Sequence, residues 1–266
     1  MFVIGLCIII TPLSQANVTG RYIFYNNSLF DSYDPATNAA DDGAIAPDKA
    51  ALLPGQTATF ANYTSYSQGI NGIIVDIDSL TGVPGAPDFQ FRIGNSSDPS
   101  SWAPAPAPSS IAVRSGAGTG GSDRMTLIWA DNLIEKQWLQ IIVLSTSTTG
   151  LPVDDVFYFG NAVGEAGNDP TNALVNDYDF VLTRDNHLNP APINFNYDYN
   201  RNGLVDTVDE SITLNNQTNF FNALRLITVP SGPEPPEPPV IPAPGAILQG
   251  SIGVVLIGLL RRRRTL

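Results

Sequence analysis

The sequence predicts a mainly β protein: a β-sandwich followed by a small α-helical module of two loop–helix units. Three observations carry this. Across residues 17–159, apolar side chains recur with period two in short runs separated by Gly, Pro and Asn. Runs of helix formers are nearly absent outside roughly the last hundred residues. Within 160–227 the chain repeats itself at an offset of thirty residues.

The first observation places eight strands, at 21–25, 57–63, 72–77, 89–93, 111–113, 125–129, 138–144 and 156–159. Alternation is clearest in Asp88-Phe89-Gln90-Phe91-Arg92-Ile93. Many short strands with Gly, Pro and Asn turns favour a sandwich over an open sheet. Alternating Ala and Pro across 103–108 excludes a central strand and predicts an exposed loop. Gly116-Ala117-Gly118-Thr119-Gly120-Gly121 matches a dinucleotide fingerprint in letters. That motif needs a helix next, to hold a pyrophosphate at its N-terminus, whereas 122–129 reads as a strand. The glycines therefore predict a hairpin turn.

Composition narrows the function. The formal net charge is -12, and four of the 13 basic residues are the run Arg261, Arg262, Arg263 and Arg264. The remainder carries nine basic against 25 acidic residues. Such a body repels nucleic acid and anionic lipid, which reward clustered Lys and Arg, and suits a holder of divalent cations. Cys7 is the one cysteine and His187 the one histidine. Thiolate sites, zinc sites and Ser-His-Asp triads lose their basis. Asp31, Asp34, Asp41, Asp42 and Asp48 crowd one loop-rich stretch. They read as a calcium site or a solvated acidic face, and no carboxylate pair stands out as a glycosidase pair. Trp102, Trp129 and Trp138 fit core or loop equally well. No catalytic constellation is found, and the chain reads as a non-enzyme.

The two ends carry addressing signals. A short apolar run followed by Ser14-Gln15-Ala16 predicts a signal peptide at 1–16, although no Lys or Arg precedes the apolar core. At the other end a proline-rich linker (230–245) leads to an apolar stretch and the four arginines (246–266). As a helix the apolar stretch would span roughly 22 Å, marginal for a bilayer of about 30 Å. With Ile241-Pro242-Ala243-Pro244 before it, this order resembles the PEP-CTERM sorting signal of exported bacterial proteins, with Ala243 where that family has Glu. The resemblance implies a transient membrane stage through the tail. It also implies removal of the tail by an exosortase-type protease, and delivery to the cell surface, outer envelope or an exopolysaccharide matrix.

Between these ends, 17–159 is expected to form the sandwich domain and 160–229 a separate module. In the second repeat Asp198-Tyr199-Asn200-Arg201-Asn202-Gly203-Leu204-Val205-Asp206-Thr207-Val208-Asp209 has the form of a twelve-residue calcium loop. Calcium wants six to eight oxygens, supplied from positions 1, 3, 5, 7 and 12. Those are the side chains of Asp198, Asn200, Asn202 and Asp209 and the carbonyl of Leu204. Gly203 takes the sharp turn, Val205 plugs the core, and a helix is expected from about Asp209. Counted back from Asp179, the first repeat puts Asn168 at position 1 and Pro170, which cannot ligate by side chain, at position 3. An alternative start in 160–165 needs an insertion before Asn172. Its candidate ligands are Asn161, Glu165, Asn172, Leu174 and Asp179.

Asp at position 12 and a helix on one side only make this region resemble a type I dockerin. Asp198, Asn200, Asn202, Leu204 and Asp209 fall on that family's ligand positions. The resemblance implies two Ca2+ ions in a pseudo-twofold pair of loop–helix units, and a cohesin-like protein partner. The expected function is that of an exported, non-catalytic calcium-binding surface or matrix protein. The alternative is a secreted carbohydrate-binding protein or glycoside hydrolase accessory.

Overall fold

Nine strands in two sheets and two short α-helices make up the described residues, 15–231, of the computed structural model. In chain order the strands are β1 (Asn17–Ile23), β2 (Tyr63–Thr64), β3 (Gly72–Asp78), β4 (Phe89–Gly94), β5 (Ala103–Pro104), β6 (Ser110–Arg114), β7 (Asp123–Ile128), β8 (Trp138–Val143) and β9 (Asp155–Asn161). The helices are α1 (Asp177–Asp185) and α2 (Thr207–Asn215). One sheet has the order β1-β3-β7-β6 and the other β2-β9-β8-β4-β5. The chain is mainly β. The tail from residue 232, and the expected leader apart from Gln15 and Ala16, lie outside the described residues. No helix among the described residues is long and apolar enough to cross a membrane.

The period-two pattern accounts for the core. Ile73, Val75 and Ile77 of β3, with Met125 and Leu127 of β7, share a cluster with Phe89, Leu139, Ile141, Val143, Phe157 and Phe159 of the other sheet. The register lines up Phe91, Ile141 and Phe157 across β4, β8 and β9. The alternate residues of the second sheet are buried too. Trp138 and Tyr158 pack with Leu52, Ala58, Tyr63, Leu224, Ile227 and Val229. Residues 224–229 thus return to cover the outer face of that sheet, and the Trp138 indole donates to the Arg225 carbonyl at 2.8 Å. Residues 17–159 and 160–229 therefore share a core.

Several elements differ from expectation. The strand expected at 57–63 is a 3-10 turn, Phe60–Asn62, leading into β2, which pairs parallel with β9. The Asn62 carboxamide accepts from the Thr59 N–H at 2.8 Å, and this local bond stabilises a turn over a strand. Ala103–Pro104 is an edge strand on β4 rather than a loop; an edge position is one that Pro tolerates. The glycine run connects β6 and β7, which pair antiparallel, and its Thr119 N–H donates to Asp76 at 2.9 Å. All three tryptophans are buried.

The acidic stretch is largely spent on structure. Asp31 and Asp41 are buried and close capping boxes on the 3-10 turns Leu29–Asp31 and Ala39–Ala44. Asp42 pairs with Arg114 and Arg124, and Arg124 also holds Asp76 through two bonds of 2.8 and 2.7 Å. Burial pushes the Asp76 carboxyl upward, but the Arg124 and Thr119 hydrogen bonds outweigh it and leave it below the ordinary range.

Candidate metal centre

Both helices begin for the same local reason. Asn176 and Asp206 are N-caps whose side chains accept from the second helical N–H, of Tyr178 and Val208. Three residues on, Asp179 and Asp209 return a carboxylate oxygen to the N-cap N–H, at 2.8 and 3.1 Å. The second helix starts at Thr207, two residues before the expected point, because Asp206 is the cap.

The other oxygen of each aspartate reaches back into its loop. Asp209 Oδ1 accepts from the Tyr199 N–H at 2.8 Å, and Asp179 Oδ1 from the Ala166 N–H at 3.0 Å. In the second loop Asp198 accepts from the Gly203 N–H (2.9 Å) and the Asn202 N–H (3.2 Å). Asn200 Oδ1 accepts from Asn202 N–H (3.0 Å) and Asn202 Oδ1 from Leu204 N–H (2.8 Å). These successive Asx turns bring Asp198, Asn200, Asn202 and Asp209 into one tight loop, with Leu204 next in line. Gly203 has φ 78°, the left-handed region that suits glycine. Val205 is buried and exchanges backbone bonds with Leu188.

The first loop matches the second by hydrogen-bonding role rather than by residue number. Ala166 stands to Asp179 as Tyr199 stands to Asp209, so Glu165 occupies the place of Asp198. Fourteen residues separate Glu165 from Asp179 where eleven separate Asp198 from Asp209, and the insertion lies before Asn172. Asn172 Oδ1 accepts from Leu174 N–H at 3.0 Å, as Asn202 does from Leu204. Asp169 accepts from Thr171 N–H at 2.8 Å, the part Asn200 plays in the second loop. Sequence reasoning missed Asp169, although its place two residues before Thr171 was the available signal. Asn161 stands apart from this set: it ends β9, donates to the Tyr66 carbonyl at 2.9 Å and accepts from the Lys136 N–H at 3.3 Å.

The two units interlock reciprocally. Leu188, just after α1, pairs with Val205 of the second loop. Thr218, just after α2, donates its N–H to the carbonyl of Val175 of the first (2.8 Å), while Val175 N–H donates to Thr218 Oγ1 (2.9 Å). Thr183 and Thr213, thirty apart, are both buried, and the Tyr199 hydroxyl lies 3.0 Å from Thr183 Oγ1.

The electrostatics bear on whether an ion fits. Glu165, Asp179, Asp198 and Asp209 are fully buried, and none joins an ion pair among the described residues. Burial pushes Asp198 up to about 6 against the pull of Arg201, and pushes Glu165 up to about 7 despite the Tyr63 hydroxyl bond. Glu165 Oε2 accepts from Tyr63 at 2.6 Å, while Oε1 is buried without a partner. Buried, unpaired carboxylates are costly unless something positive meets them. Among the described residues no three His, Cys, Asp or Glu side chains converge, so each loop offers two carboxylates plus neutral oxygens. An all-oxygen donor set of this kind fits a hard cation and not zinc.

Compared with known proteins, the chain matches no family model, no curated protein and no solved structure.

Proposed function

We propose that this chain is an exported, non-catalytic calcium-binding protein of the cell surface, outer envelope or extracellular matrix, with a dockerin-like pair of loop–helix units. The observation that carries the reading is the repetition of one hydrogen-bonding scheme in both loops, ending on buried aspartates thirty residues apart, Asp179 and Asp209. Asp198, Asn200, Asn202, Asp209 and the Leu204 carbonyl would hold one ion. Glu165, Asn172, Asp179 and the Leu174 carbonyl would hold the other. Bound calcium would neutralise carboxylates whose ionisation burial makes costly. Tyr178 and Val208 occupy the same place in the two units and are 58% and 50% exposed. They suit a docking face for a protein partner of cohesin-like fold. Export and sorting rest on the sequence of the two ends. The alternative of sugar binding gains nothing from the tryptophans, since a stacking platform needs exposed rings.

Calorimetric calcium titration of residues 17–232 tests the reading. Two ions are expected, with Kd on the order of 10⁻⁵ to 10⁻³ M. Asp198→Asn combined with Asp209→Asn, which keeps side-chain volume, should lower the stoichiometry to one. Unchanged stoichiometry in that variant would sink the assignment of the second loop.

A further inference from the structure

The second loop is fastened to the two-sheet body by groups that are not candidate ligands. The Ser67 N–H donates to the Tyr199 carbonyl at 2.8 Å, and the Leu29 N–H to the Arg201 carbonyl at 3.0 Å. Gly203 lies so close to the body that a Cβ there would come within 2.5 Å of Leu29 Cδ2. Between these points Arg201 sends its side chain inward. Its guanidinium donates to the Phe195 carbonyl (2.6 Å) and the Tyr25 hydroxyl (3.1 Å), and its central carbon lies 4.4 Å from the Tyr25 ring centre. Tyr25 in turn meets Tyr66 edge-on at 5.1 Å, and the Tyr66 hydroxyl donates to the Asn26 carbonyl at 3.0 Å.

Arg201 is an expensive residue to place in this way. It is 2% exposed and joins no ion pair among the described residues. Its φ of 53° is in the left-handed region, disfavoured for a side chain of this kind. Burial of an unpaired cation and a strained backbone both cost free energy, and both are concentrated at the one loop position that plugs into the body. The loop backbone that an ion would fix, at Tyr199 and Arg201, is the same backbone to which Ser67 and Leu29 donate.

We infer that Arg201 is a positioning residue that couples ion occupancy of the second loop to the order of body segments 25–33 and 64–70, so that loop and body open together. This rests on the calcium reading above. Fixing the loop removes the local openings that would release the Leu29 and Ser67 N–H groups, and exchange of those amides reports such openings directly.

Hydrogen–deuterium exchange of the full chain, with calcium or with chelator, tests it alongside calorimetry. In the wild type, calcium should slow exchange about tenfold or more in peptides covering 26–33 and 64–70 as well as in the loop. Arg201→Gly removes the guanidinium while accepting the positive φ without strain. That variant should still bind calcium by calorimetry, and calcium should slow peptides 26–33 and 64–70 clearly less than in the wild type, because only the two backbone bonds remain. Calcium binding that leaves 26–33 and 64–70 unchanged in the wild type overturns the coupling alone. Body protection in Arg201→Gly equal to that of the wild type overturns the role of Arg201. Absence of calcium binding in calorimetry overturns the ion reading and the coupling together.

Discussion

Arg124→Met should destabilise the protein by about 3–5 kcal/mol near neutral pH, the usual cost of removing one partner from a buried ion pair. Asp76 is fully buried, and two of its hydrogen bonds come from Arg124. Methionine fills similar space but leaves that carboxylate without its cation, with the Thr119 N–H still donating to it. Asp42 also loses one of its two arginines. The pH dependence carries the proof. In the wild type the Asp76 pKa is depressed, so its stabilisation is present above the ordinary carboxylate pKa and is lost as pH falls through the lower folded value. In the variant the buried carboxylate has lost its partner and its pKa rises, so the penalty fades as acid protonates it. Thermal melts at pH 7 and pH 4 should therefore show the gap between variant and wild type narrowing in acid. An equal gap at both pH values would assign the loss to something other than Asp76.

Asp209→Ala should cost about 3 kcal/mol even in the presence of chelator, a fall in Tm of roughly 6–12 °C for a domain of this size. The carboxylate accepts from Tyr199, Asn200 and Asp206 N–H groups, at 2.8, 3.4 and 3.1 Å. Alanine leaves those donors without an acceptor in a buried setting and removes half of a capping box. Asp179→Ala should behave alike, since it holds the Ala166 and Asn176 N–H groups. Adding calcium should widen the difference from wild type, because the wild type gains RT ln(1 + [Ca²⁺]/Kd), about 2.7 kcal/mol at a hundredfold excess over Kd. Differential scanning calorimetry with and without calcium separates the two contributions. A variant that melts with the wild type in chelator would mean that these carboxylates do not organise the loops.

Much of the two-sheet body was legible because its information is local. The run at 89–93 alternates cleanly, those at 72–77 and 138–144 are short apolar runs, and β3, β4 and β8 stand within a residue of them. The stretch at 57–63 misled because Thr59 and Asn62 close a turn whose bond is invisible to period counting. The burial of both faces of β8 could not be read either, since it depends on Leu224, Ile227 and Val229 returning from a distant part of the chain. For the same reason the expected division at residue 159 says nothing of the core shared across it. In the candidate site, the spacing of Asp198, Asn200 and Asn202 already implies the successive turns of the second loop. In the first loop three extra residues break the register, so the bond from the Ala166 N–H to Asp179 and the turn that Asp169 closes at Thr171 could not be read from spacing, although Glu165, Asn172, Leu174 and Asp179 stood among its candidates. Arg201 was invisible as anything but position 4 of a loop, because its meaning lies in Tyr25, far away in sequence.

Long-wavelength anomalous diffraction from crystals grown in calcium puts the central claim to its most direct test. One peak is expected in each loop. The second should be ringed by oxygens of Asp198, Asn200, Asn202, Asp209 and the Leu204 carbonyl at about 2.3–2.6 Å. Saturating calcium with no anomalous density in either loop would contradict the account.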